Sequence, residues 1–325
     1  MRFRFVKETK EVVEAERDFL LSTEILPTVL ENGAIISHDS KITMIDGKVH
    51  TILSDKTNSF MCCSICGLTP TLMSNLEVVK RHAQALDDSD VERGVSTLHC
   101  WIRALEYTLH LAYRLDSKEW RLVKTSEAFK QSQAQKFRIQ KELREEMGIL
   151  VDFPKQNGSG TTNDGNTART FFRNSEAASQ ITGIDEAIIK RLHVILCVVS
   201  SNKEVDVDKF EEYAWDTYKR MTSTYPWFRV PAAVHKLLAH TPKAMRVNNL
   251  SLGMYSEEAQ EALNKVVKVF KLGHTRKDKR VHTMTDLMNR LLVYSDPKLA
   301  SLRRKPPKKK ELDLPEEAKD LLKDD

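Results

Sequence analysis

Cys63-Ser-Ile-Cys66-Gly67 and His235-Lys-Leu-Leu-Ala-His240 decide how this chain folds. The first stretch is C-x-x-C, the spacing at which two thiolates of one turn share a tetrahedral metal. Gly67 suits a tight knuckle, because it tolerates a positive φ. A complete site needs two further ligands, and no second cysteine pair exists. The second stretch is H-x4-H, within zinc-ligand spacing. On one continuous helix, residues five apart point about 140° apart and do not face one ion. The spacing works if the helix ends between them, and Thr241-Pro242 supplies that stop. His235 then sits on the last turns and His240 at the C-terminal end. The plain alternative is an incidental cysteine pair and two unrelated histidines. His82 lies nearer the cysteines but lacks a second histidine at finger spacing. Joined, the two pairs close a long loop and pin the intervening helices as a folded insertion.

The chain has 325 residues, 41% hydrophobic and 30% charged, with 51 Lys+Arg against 46 Asp+Glu, for a net charge of +5. That supports a real core, as one large domain or two ordinary ones. The mild positive charge neither requires nor excludes a nucleic-acid partner. Five cysteines occur, at 62, 63, 66, 100 and 197. An odd, clustered set behind an N-terminus with no apolar signal region reads as metal-ligating in a reducing, intracellular compartment. No run of about 18 apolar residues occurs, so no membrane span is expected.

Residues 2–6 alternate as a short strand. Residues 8–31 show helical spacing that stops at Asn32-Gly33. Residues 34–37, 42–45 and 49–53 read as a small sheet, with Asp46-Gly47 as its turn. Helices are expected over residues 76–86, 95–115, 126–147, 168–181, 185–199, 208–222, 232–239, 256–270 and 284–294. The fold class is α/β and predominantly helical. Its expected divisions are 1–60 (sheet), 61–245 (metal-stapled helical insertion), 246–300 (C-terminal helices) and 301–325. The last segment carries Arg303-Arg304-Lys305 and Lys308-Lys309-Lys310 and is expected to be a disordered tail. It reads equally as a nuclear-import signal or as a solvated terminus.

Two acids stand out. Asp46 ends a β-like run beside a glycine, where a carboxylate at a sheet edge can ligate a metal; the simpler reading is an Asp-Gly turn. Glu261 lies in Ser256-Glu-Glu-Ala-Gln-Glu261-Ala-Leu-Asn-Lys265, where the simpler reading is a solvated helix face with a Glu261–Lys265 pair. Two divalent ions held by a few carboxylates would serve phosphodiester chemistry.

These residues resemble the catalytic core of Transib-type DNA transposases, relatives of the catalytic subunit of the vertebrate V(D)J recombination-activating complex. The resemblance runs over about residues 2–300. It rests on the order and spacing of Arg2-Phe-Arg-Phe, Thr43-Met-Ile-Asp46-Gly, Cys63-Ser-Ile-Cys66-Gly, Leu98-His99-Cys100, Gly165-Asn166-Thr-Ala-Arg169, His235-Lys-Leu-Leu-Ala-His240 and the Glu261 stretch. It implies an RNase H-like catalytic fold with a zinc-stapled helical insertion. It also implies a DDE triad binding Mg²⁺ or Mn²⁺, DNA cleavage and strand transfer in the nucleus, and a homodimer. By motif, Asp46 and Glu261 are the second and third acids, and Cys63, Cys66, His235 and His240 hold zinc. The first acid of the family lies upstream of the Arg-Phe-Arg-Phe segment. The chain is therefore expected to be a core fragment, inactive alone. The alternatives are a domesticated non-catalytic DNA-binding protein and a zinc-stapled interaction scaffold. Candidate phosphate contacts are Arg169, after a polar loop at a helix start, and Lys265, Lys268, Lys271 and Arg276, in a basic stretch after Glu261.

Overall fold

Most helices of this chain begin at a side chain that caps them. Thr9, Asp46, Asn75, Asp87, Ser96, Ser126, Asp164, Asp185, Asp206 and Asp296 each accept a hydrogen bond from a backbone N–H of the first turn. Those amides have no partner inside the helix, so each cap contributes roughly 1 kcal/mol. The computed structural model describes residues 9–38, 42–43, 45–57, 59–155, 160–248, 250–303 and 314–323, without the side chains of 259 and 260.

In chain order the elements are α1 (Lys10–Ser22), the strands β1 (Thr28–Val29) and β2 (Ile35–Ile36), then α2 (Gly47–Ile52), α3 (Pro70–Met73), α4 (Leu76–Gln84) and α5 (Asp88–Val91). There follow α6 (Thr97–Ala112), α7 (Glu127–Met147), α8 (Gly165–Arg173), α9 (Ser175–Thr182), α10 (Glu186–Val199) and α11 (Val207–Thr224). The chain then forms α12 (Ala232–Ala239), α13 (Thr241–Val247), α14 (Glu258–Gly273), α15 (Arg280–Ser295), α16 (Pro297–Leu302) and α17 (Glu316–Lys319).

Two compact units result: residues 1–256 with 315–325, and residues 257–314. The core of the first lies where α6 and α10 pack against α8, α9, α11 and α12. Trp101, Leu105, Phe171, Phe172, Leu192, Ile195, Phe210 and Tyr218 are fully buried there. Trp101 meets Phe172 edge-on at 6.1 Å, and its indole N–H donates to Ser200 Oγ at 2.8 Å. The second unit is the helix pair α14–α15 with α16, and Leu287 and Leu291 are its innermost side chains.

The fold is predominantly helical, as expected. The sheet expectation fails for two of its three runs. Residues 49–53 do not return as a strand but lie in or just after α2, because Asp46 Oδ1 accepts from both Lys48 N and Val49 N at 2.8 Å and starts a helix. His50 and Thr51 are then buried. Ile42, Thr43 and Ile45 are not in a strand, and among the described residues the only sheet pairs Thr28 with Ile36 and Val29 with Ile35. Residues 2–6 lie outside the described residues.

The first helix ends at Ser22, not before Asn32. Asn32-Gly33 instead forms the hairpin turn, with Gly33 at φ +80° and Ala34 N donating to Asn32 Oδ1. The helix expected over 168–181 breaks at Asn174. The disordered-tail expectation does not hold for residues 314–323. Ala318, Leu321 and Leu322 are buried, Leu322 bridges Val205, and Tyr213 Oη donates to Glu317 at 2.5 Å. The surrounding charges mask that apolar set in the sequence.

Candidate metal centre

The cysteine knuckle is a closed turn. Cys63 N donates to Leu68 O at 2.9 Å and Gly67 N donates to Cys63 O at 2.8 Å. Gly67 takes φ +76°, the left-handed conformation that glycine adopts without strain. On the other side, α12 stops at His240, whose backbone sits at φ −113°, ψ −19°, and α13 starts at once. Pro242 occupies the first turn of α13, where its missing N–H costs nothing. This break brings the two imidazoles together, with ring centroids 4.6 Å apart and planes at 90°.

One ligand atom from each of Cys63, Cys66, His235 and His240 lies within 4.8 Å of all the others. Cys66 Sγ is 3.3 Å from His235 Nε2. A tetrahedral zinc with these donors has edges of about 3.3–3.8 Å. Cys63, His235 and His240 are completely buried. Both ring nitrogens of His240 are buried without a hydrogen-bond partner. Orphaned donors or acceptors of this kind are costly, and an ion supplies the missing partner. The four residues therefore form a cluster that could hold a metal ion such as zinc.

The surroundings prepare the ligands. Tyr218 Oη donates to Met73 O at 2.6 Å and lies 3.0 Å from His235 Nδ1. Burial raises the Tyr218 phenol well above its ordinary value, so it stays protonated. With its own proton committed to Met73, the phenol oxygen accepts from Nδ1–H. Nε2 of His235 is then the bare nitrogen, facing the cluster. Burial opposes ionisation of Cys63, but hydrogen bonding from Cys66 and the nearby His240 and His235 outweigh it and hold the thiol well below its ordinary value. The Cys66 thiol is pushed up by its hydrogen bond to Cys63 and by burial. A metal ion would take the place of the thiol proton that Cys66 keeps.

The remaining expected residues lie elsewhere. Asp46 is the N-cap of α2 and lines a cleft of about 710 Å³ in the first unit. Lys48, Arg103, Arg114, Arg229 and Lys236 line the same cleft. Arg103 pairs with Glu106 at 2.6 Å. Glu261 is exposed in the first turn of α14, in the second unit, with Lys265 and Lys268 exposed on the same helix. Arg276 is held by Asp286, with Nε at 3.0 Å and Nη2 at 2.9 Å from its oxygens. The Arg169 guanidinium lies 5.3 Å from the centre of the Trp101 ring. Sequence reading missed Tyr218, His50, Ser64 and Lys236. They carry no spacing signature, since Tyr218 reads as one more core residue and Ser64 and Lys236 as fillers between ligands. No protein-family model matches the chain, and no curated protein shows significant similarity to it.

Proposed function

We propose that this chain has the catalytic-core function of a Transib-like DNA recombinase, with a structural zinc ion in the Cys63, Cys66, His235 and His240 cluster. The observation that carries this reading is the meeting of a C-x-x-C and an H-x4-H motif across 169 residues, the ligand set that the resemblance implies. The cationic walls of the Asp46 cleft support a phosphate-bearing ligand there. In this reading Asp46 and Glu261 each keep the acid role that the resemblance implies, and a divalent ion such as Mg²⁺ or Mn²⁺ would supply the charge stabilisation that phosphodiester chemistry needs. The RNase H-like fold, the homodimer and the nuclear location belong to the same proposal.

Titration of duplex DNA at increasing salt tests the reading. Expected is binding that weakens steeply with salt and flattens in Lys265→Gln and Lys268→Gln. Absence of binding at low salt contradicts it. Any Mn²⁺-dependent nicking that survives Glu261→Gln contradicts the active-site assignment. One observation favours a scaffold without catalysis: Asp46 Oδ1 already has a structural task as a helix cap.

A further inference from the structure

Helix α2 has six residues, too few to hold itself together in water. Its position depends on what it docks to. It touches α1, but α1 buries none of its own residues. Two hydrogen bonds tie α2 and the turn after it to the cysteine knuckle, and both end at Ser64. The Ser64 hydroxyl lies 2.8 Å from His50 Nδ1, and the Ser64 carbonyl accepts from Ser54 Oγ at 2.7 Å. Lys236 Nζ donates to the same hydroxyl at 2.6 Å.

Ser64 stands between the two cysteine ligands, and Lys236 follows the ligand His235. Each half of the metal cluster therefore lends one side chain to a single chain of hydrogen bonds. An ammonium only donates. Ser64 Oγ accepts from Lys236 and is hydrogen-bonded to His50 Nδ1, so it joins the two side chains. Four residues before His50 is Asp46, whose carboxylate starts the helix.

We infer that the metal cluster sets the place of Asp46 through the Lys236–Ser64–His50 relay, with Ser64 and His50 as positioning residues. The inference rests on the zinc and Asp46 assignments proposed above. Holding the knuckle against α12 keeps Lys236 on Ser64, and Ser64 keeps α2 seated at the wall of the cleft.

Hydrogen exchange of residues 46–53 in the metal-loaded protein tests it. Ser64→Ala and Lys236→Met should each speed exchange in this segment on the order of tenfold, the loss of one or two buried hydrogen bonds. Amides of α6 and α10 should stay protected and metal content unchanged. Ser64→Thr, which restores the hydroxyl, should restore protection. Unchanged protection of 46–53 in both Ser64→Ala and Lys236→Met overturns the inference. If Ser64→Ala sheds metal, Lys236→Met decides, because it leaves the knuckle chain intact. Exchange reads the position of Asp46 and nicking reads its chemistry, so either can fail without the other.

Discussion

The phenol of Tyr218 sits 3.0 Å from His235 Nδ1 and donates to Met73 O, so one hydroxyl ties His235 on α12 to the end of α3. Outer partners of this kind orient a ligating imidazole and raise its basicity. Tyr218→Phe should keep the ring packing and lower zinc affinity by about 10–100-fold. It should also cost about 1–3 kcal/mol of stability, because the Met73 carbonyl and His235 Nδ1–H lose their partner. Competition with a chromophoric chelator and thermal unfolding measure the two effects.

Asp46 has a structural and a proposed chemical task, and substitutions separate them. Asparagine caps helices as well as aspartate does, whereas alanine loses about 0.5–2 kcal/mol. Asp46→Asn should leave stability unchanged and abolish Mn²⁺ binding at the cleft, while Asp46→Ala should impair both. Retained Mn²⁺ affinity in Asp46→Asn, read by calorimetry, counts against a metal-binding role.

Burial lowers His193 to about 4, from an ordinary value of 6.5. The unfolded chain takes up that proton first as pH falls. Stability is therefore full above about 6.5 and is lost as pH drops toward about 4. His193→Gln should flatten the pH dependence of unfolding over this window. His193 packs 6.0 Å from Trp101, away from the metal ligands in sequence, so the change reports core burial.

Gly253 lies in a 3₁₀ turn, Leu252–Tyr255, pressed against the Ser200–Ser201 backbone. A Cβ at this position would meet Ser200 O at 2.6 Å. Backbone cannot yield as a side chain would. Gly253→Ala should cost about 1–3 kcal/mol, seen as a lower unfolding midpoint with unchanged metal content.

How far the sequence could be read depended on whether the signal was local. The Cys/His cluster was legible because its members come as two spaced pairs, and Pro242 announced the break that turns His240 toward His235. The Ser126 and Asp185 caps marked helix starts to within a residue. Val49, Thr51 and Ile52 misled, because their β-branched side chains suggest a strand where the Asp46 cap imposes a helix. The docking of Leu321 and Leu322 onto the Val205 loop is a long-range packing event, and nothing in the local charge-rich sequence signals it. The Ser64 relay was hidden for the same reason, since its members become neighbours only once the knuckle and α12 meet.

Elemental analysis of the purified chain before and after chelation, paired with thermal unfolding, tests the central claim most directly. The account predicts about one zinc per chain and a large fall in the unfolding midpoint when it is removed. His240→Ala should lose both the metal and that stability. A chain that carries no metal, or one whose unfolding is unchanged by chelation and by His240→Ala, would contradict it.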